Sequence, residues 1–391
     1  MYRAHPPKST VLLGDTMEEK DYQQRQQIAA KYASRRRLYS LVEFGLTAVL
    51  CIAVFIFSKS LVALFDDWLP FWAAAVYFIV LSAAYFIIVF PVQYVKNYRL
   101  AKDVGLLKQT FPQWLGDYIK VPLLVLLLGA LAFGLLYLLI VATPTWWWLW
   151  AALAIATFSF ILSFVYPIIV MPLMYRTHPM QEDPIKDAVE DIIKRSGVVV
   201  SRVDILQVAD EEESSNAMMV GFGKTRRIAF TDTLLKDYTP AEIQIICAHE
   251  LGHIKERHFI KSFFVSLVLT LATLFLTSFI ASMLINWFNM GDIATLSAMP
   301  LTIAVFVVLY AISAIFSNRY SRKEEAQADL YALKLTDNPD AFISMLQKLI
   351  SQNLDEESPE AIVENLMYDH PAPEARLAMA KAYKNGKYKQ E

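Results

Sequence analysis

Charge is scarce in this sequence. Of 391 residues only 19% are Asp, Glu, Lys or Arg, against about 25% in a typical soluble domain, while 56% are hydrophobic. That balance excludes an ordinary soluble globule and points to a membrane protein. The formal net charge of −2 gives no case for nucleic-acid binding. Cysteine is nearly absent: Cys51 lies in an apolar run and Cys247 in a helical stretch, so a disulfide framework is excluded and both read as small packed residues. No apolar run follows the first methionine either. Residues 1–39, which include a QQRQQ run and Arg35, Arg36 and Arg37, therefore read as a polar, non-translocated arm rather than a cleaved signal peptide, helical from about Thr16. No internal repeat or low-complexity tract is present.

What the chain does have is apolar length. Six runs, at 40–65, 69–95, 121–143, 146–172, 259–288 and 301–318, approach or exceed the roughly 20 residues that cross a bilayer, the last being the shortest. Trp68, Trp72, Trp146, Trp147, Trp148, Trp150 and Trp287 flank them as interfacial anchors. If all six span, segments 1–39, 96–120, 173–258 and 319–391 share one side and hold nearly every lysine and arginine. The loops on the other side hold only Lys59. The positive-inside rule then puts both termini and those four segments in the cytoplasm. The expected organisation is a polar arm (1–39), a four-span bundle (40–172) with a cytoplasmic loop at 96–120, half of a soluble cap (173–258), two more spans (259–318) and the other half of the cap (319–391). Within the cap, 184–196 has helical periodicity, while Val203–Val208, Ser214–Gly221 and Arg227–Phe230 read as extended, with a turn capped by Asp232.

The chemistry sits in Thr239–His258, TPAEIQIICAHELGHIKERH. Thr239, Pro240 and Glu242 spell a capping box with proline at the first helical position, so a helix should begin at about Pro240. Ile243, Ile246, Cys247 and Leu251 form its apolar stripe, and His249 and His253, four residues apart, project from one face. Two imidazoles so placed can grip one metal ion, with Glu250 beside them to act on a water. This is the HExxH zinc-protease arrangement. Cys247, two residues before His249, points to another face and is not counted as a ligand.

Two histidines leave a catalytic zinc one protein ligand short. SRKEEAQAD at 321–329 offers Glu325 as the third, with Asp329 one turn on to accept a hydrogen bond from a ligating histidine and fix its tautomer. The plain alternative is a charged juxtamembrane helix whose Glu324 and Glu325 face water or pair with Arg322. His258 reads as a helix-face residue near the interface, and His178 and His5 as loop residues.

HELGH, then SRKEEAQAD, then DHPAPEAR at 369–376, in that order in a polytopic chain, resembles the integral-membrane zinc metalloproteases of the CAAX prenyl protease 1 type. The segments at 215–235, 105–120 and 171–173 are similar to that family too. The resemblance implies a mainly α fold: a polytopic membrane helix bundle of about six spans with a cytoplasmic α+β, zincin-like catalytic cap. It also implies one zinc per chain held by His249, His253 and Glu325, Glu250 as general base and Asp329 as orienting carboxylate. By the same resemblance Asn216 and Ala217 belong to an extended edge that pairs with substrate, and His370 and Arg376 steady the oxyanion or the substrate carboxylate. Family members begin with a further membrane helix, which the polar arm replaces here.

The expectation is a membrane-embedded zinc metalloendopeptidase acting on C-terminally prenylated CAAX proteins or other membrane-associated peptides, in the inner membrane of a prokaryote or the endoplasmic reticulum of a eukaryote. A quality-control protease without prenyl specificity is the second reading. A non-catalytic zinc-bearing scaffold or transporter is the third, disfavoured because the spans carry few ionisable groups and because a structural site has no use for Glu250.

Overall fold

In hydrocarbon a backbone has no water to bond, so apolar runs must close their hydrogen bonds within helices. The structure, a computed structural model, describes residues 19–65, 67–171, 176–181, 184–208 and 215–388. Among the described residues six helices are long and apolar enough to cross a membrane. Numbering the longer helices in chain order, α1 (Glu19–Ile56) carries the polar arm and the first span as one unbroken helix. The arm is thus helical from Glu19. Thr16, His5 and Asp66 lie outside the described residues, as do part of the 171–173 segment and Ser214.

α2 (Pro70–Gln93) runs on through a π-helical turn at Tyr94–Arg99. Glu43 of α1 accepts hydrogen bonds from Gln93 at 2.7 Å and from Tyr85 at 3.2 Å and pairs with Lys96, which ties the first two spans together near one end. α3 (Phe111–Ala142) begins well before its apolar run, because Gln113 Oε1 accepts from the Thr110 amide at 2.9 Å in a capping box. The loop expected over 96–120 is therefore mostly helix. α4 (Trp147–Val165) completes the first group of spans.

The cap opens with β1 (Thr177–Pro179), a strand too short for alternation to reveal, in which His178 sits instead of in a loop. α5 (Pro184–Ser196), β2 (Arg202–Leu206), β3 (Ala217–Val220) and β4 (Arg227–Thr231) follow. They form a four-stranded sheet of order β1-β2-β4-β3, parallel between β2 and β4 and antiparallel elsewhere. β3 and β4 join through Gly221, at φ 86°, where any Cβ would run into the Thr225 carbonyl.

β3 is an edge strand, and its register decides which groups are free. Asn216 turns its backbone inward, its carbonyl accepting from the Thr231 amide and its amide donating to Thr231 Oγ1, both at 3.0 Å. Alternation then points the amides and carbonyls of Ala217 and Met219 outward.

α6 (Pro240–Lys255), α7 (His258–Trp287), α8 (Met299–Thr336), α9 (Pro339–Asn353) and α10 (Pro373–Lys384) complete the chain. Among the described residues two large apolar cores result, beside a small cluster of Met171, Leu206, Val208 and Ala229. One, in the bundle, contains Tyr77, Ile140, Trp147, Ile285 and Met299. The other, in the cap, contains Ile192, Phe230, Ile243, Leu251, Phe342 and Leu377. α8 belongs to both, since Met299 packs in the first and Leu333 in the second. A single unbroken helix therefore carries the 321–329 segment from the bundle into the cap. α1 also reaches the cap: Tyr22 donates to Glu357 at 2.9 Å, and Arg37 pairs with Glu356 at 2.6 Å.

Candidate metal centre

The metal-binding helix starts as its sequence dictates. Glu242 Oε2 accepts from the Thr239 amide at 2.8 Å, and Thr239 Oγ1 accepts from the Glu242 amide at 3.3 Å. Glu242 is buried and also takes Lys348 Nζ at 2.8 Å and the Ser344 hydroxyl at 2.6 Å, so the cap of α6 is bolted to α9. Burial pushes its carboxyl up, but Lys348, Ser344 and the Thr239 amide outweigh that and hold it below the usual range. Ile243, Ile246, Cys247 and Leu251 are all buried, and burial pushes the Cys247 thiol far up, in keeping with a packed residue rather than a ligand.

Gly252 is what lets α6 and α8 meet. A Cβ there would lie 3.1 Å from Ala328 Cα and 3.2 Å from the Ala328 carbonyl oxygen. That near-contact of backbones sets His249 and His253 opposite Glu325 and Asp329. His249 Nε2 and His253 Nε2 are 3.2 Å apart. Glu325 Oε2 is 3.3 Å from His249 Nε2 and Glu325 Oε1 is 3.4 Å from His253 Nε2. One ligand atom from each of the three residues lies within 4.8 Å of the others, and Glu325 Oε2 is buried there without a hydrogen-bond partner. Two imidazole lone pairs and an orphaned carboxylate oxygen facing one another make electrostatic sense around a cation, so the residues fit a metal ion.

The surrounding groups are ordered by charge. His249 Nδ1–H donates to Asp329 Oδ1 at 2.8 Å. Asp329 is wholly buried and takes Arg376 Nε and Nη2, each at 2.7 Å, in a two-pronged pair. Burial would raise the Asp329 carboxyl, but Arg376 and His249 hold it far below the usual carboxylate range. Arg376, expected against substrate charge, is thus engaged behind the metal site, where Asp329 draws its guanidinium. His370 stays half exposed, with Nε2 3.6 Å from Glu325 Oε2 and Nδ1 donating to Asp369 at 2.9 Å. That hydrogen bond raises its pKa in spite of burial. Burial also raises the Glu250 carboxyl, moving it toward the range in which a general base works at neutral pH.

Glu250 Oε2 accepts the Met219 amide at 2.9 Å, so the expected base touches the open edge of the sheet. Ala217 N–H is covered by Asn216 Oδ1 at 2.8 Å. A cavity of about 660 Å³ lined by Asn216, Ala217, His370 and Arg376 lies on one side, and one of about 750 Å³ lined by Gly221, Phe222, Arg226 and Phe259 on the other. Met219, Glu250, His253 and Glu325 line both. The cleft therefore passes the donor atoms along the β3 edge. Sequence reading did not find Met219, because edge register is a property of the paired sheet. Nor did it find His258, which is buried against His253 rather than facing the interface.

The sequence model of peptidase family M48 matches residues 179–384, more than half of the chain. The chain belongs to peptidase family M48. Residues 2–176 match the model described as CAAX prenyl protease N-terminal, five membrane helices. Among the described residues of that stretch four helices are long and apolar enough to span. This M48 protein is 26% identical over 310 residues to the uncharacterized metalloprotease YhfN of Bacillus subtilis, covering 78% of this chain and 72% of that one. It is 23% identical over 305 residues to CAAX prenyl protease 1 of Saccharomyces cerevisiae (73% and 67%) and 26% identical over 285 residues to the Arabidopsis thaliana homologue (70% and 65%). Its fold matches the crystal structure of S. mikatae Ste24p with a TM-score of 0.81 at 20% identity, covering 96% of this chain and 91% of that one. The M48 protein is a multi-pass membrane metalloprotease acting on peptide bonds, with the fold the sequence led us to expect.

Proposed function

We propose that this M48 protein is a zinc endopeptidase whose metal site lies at the cytoplasmic face of its membrane, acting on C-terminally prenylated CAAX or other membrane-associated substrates. The observation that carries the reading is the meeting of His249 Nε2, His253 Nε2 and the Glu325 carboxylate: the two nitrogens are 3.2 Å apart, with His249 Nε2 3.3 Å from Glu325 Oε2 and His253 Nε2 3.4 Å from Oε1. Ligands about 2.0–2.1 Å from a tetrahedral zinc lie about 3.3–3.4 Å from each other. When bound, the ion would polarise a peptide carbonyl and bring the pKa of a water to roughly 7.

The chain's own residues then divide the work. A substrate strand adds to β3 through the outward carbonyls of Ala217 and Met219 and the Met219 amide, beside the Asn216 side chain that holds the Ala217 amide. As a substrate carbonyl takes the Met219 amide, Glu250 is released from it, accepts the proton of the attacking water and passes it to the leaving amine. His370, with its proton held by Asp369, donates to the developing oxyanion. Arg376 acts through Asp329, which keeps His249 in the tautomer whose Nε2 is free to ligate. The basic cytoplasmic segments support the orientation, and a membrane-bound protease meets lipid-anchored substrates at high local concentration.

The test is cleavage of a fluorogenic farnesylated CAAX peptide by purified protein beside Glu250→Gln, with metal content measured in both. One zinc per chain, cleavage that falls by about 10²–10⁴ in the variant, and an intact unprenylated control would support the full reading. Glu250-dependent cutting of unmodified membrane proteins alone would move it to quality control. Wild-type protein that binds no zinc would refute the metal assignment.

A further inference from the structure

α6 ends at Lys255, and Arg257, just before α7, adopts a left-handed conformation (φ 55°, ψ 36°). The chain reverses there, and the first residue of α7, His258, folds back over the last turn of the metal-binding helix. The residue is only 3% exposed. His258 Nδ1 lies 3.0 Å from His253 Nδ1, and His258 Nε2 lies 3.1 Å from Gln327 Oε1 on α8.

The proton positions along this row follow from one requirement. If His253 offers the lone pair of Nε2 to the metal, its proton is on Nδ1. His258 Nδ1 must then accept, which leaves the His258 proton on Nε2. That N–H donates to Gln327 Oε1, an acceptor by its chemistry. The opposite tautomer of His258 would set two N–H groups against each other at 3.0 Å and leave the Gln327 oxygen without a donor. Every group in the row is satisfied in one arrangement, and it is the one that suits ligation.

We propose that His258 and Gln327 are positioning residues for the metal ligand His253, fixing its tautomer and ring orientation. The inference rests on the metal reading above. It makes the centre asymmetric. His249 is braced by a charged pair, Asp329 and Arg376, and His253 by a neutral chain. Because Gln327 and Glu325 share one helix, the third ligand and the support of the second move together. A neutral brace also leaves the net charge of the donor set unchanged, whereas a second carboxylate there would add to it.

The experiment is competition for Zn²⁺ between a chromophoric chelator and the full-length protein in detergent, with metal-free thermal melts run in parallel. His258→Phe keeps the ring volume but removes the acceptor. His258→Asn puts an oxygen near the place of Nδ1. We expect Phe to weaken zinc binding about 10- to 100-fold with little change in the metal-free melt, and Asn to restore most of it. Gln327→Leu should weaken binding and Gln327→Glu, which keeps the acceptor, should not. Phe binding zinc as tightly as wild type, or Asn failing as badly as Phe, would overturn the relay. Wild-type protein that binds no zinc in the same assay would instead sink the metal reading beneath it.

Discussion

Replacing Gly252 by alanine tests the idea that helix separation sets the metal site. Outside this fold the change should help, since alanine in a helix interior is favoured over glycine by about 1 kcal/mol. Here the new Cβ would lie 3.1 Å from Ala328 Cα and 3.2 Å from both the Ala328 carbonyl oxygen and Tyr331 Cδ1. Carbon pairs settle at about 3.5–4.0 Å, so α6 and α8 must part by roughly half an ångström. Overpacking of that kind costs about 1–3 kcal/mol, which the helix propensity partly offsets, leaving a net loss of about 0–2 kcal/mol.

The same half ångström falls on the 3.3 and 3.4 Å separations between the histidines and Glu325, which lie on opposite helices. Metal distances hold to within about 0.2 Å, so affinity should suffer far more than stability. We expect the metal-free melt of Gly252→Ala to move by a few degrees while zinc affinity, read by chelator competition, falls at least about tenfold. A variant that melts as expected but binds zinc and cleaves peptide like wild type would refute the argument.

Other outcomes follow from the surrounding pairs. Arg376→Met should strand the fully buried Asp329 carboxylate and destabilise the cap by about 3–5 kcal/mol, measurable by denaturant titration. His370→Gln should lower the rate about 10²-fold while zinc content stays at wild-type level. Lys348→Met removes the cation facing buried Glu242 and should cost about 1.5–3 kcal/mol, seen in thermal melts. For pH, the folded Glu242 carboxyl is held below its ordinary value, so its contribution is fully present above about pH 4.3 and is lost as pH falls through the lower, folded value. Glu242→Gln should therefore be less stable than wild type at neutral pH, with the gap narrowing in acid; a gap constant with pH would count against the ion pair.

Features with a local cause were legible in the residues. Apolar length fixed the spans, the Thr239–Glu242 spacing fixed the start of the metal-binding helix, and the 3.6-residue period placed His249 with His253 and Glu325 with Asp329. The helical stretch 184–196 emerged with the bounds its periodicity indicated. Even the DHPAPEAR motif could be tied to the site, though only through resemblance. Its spacing alone does not say which charge Arg376 meets.

What needed the tertiary structure lies between elements distant in sequence. Arg376 and Asp329 are 47 residues apart, His258 and Gln327 69, and Met219 and Glu250 31. No helical or strand period reaches so far. The sequence by itself determined a membrane metalloprotease, because bilayer crossing, helix capping and metal ligation each demand residue types at fixed short spacings. Only the packed fold decided that Arg376 turns to Asp329, that Met219 rather than Asn216 offers its amide at the open edge, and that His258 supports a ligand. Those choices depend on which faces meet across Gly252, at the left-handed turn of Arg257 and along the β3–β4 register, and such meetings are set by close packing of surfaces rather than by any local pattern.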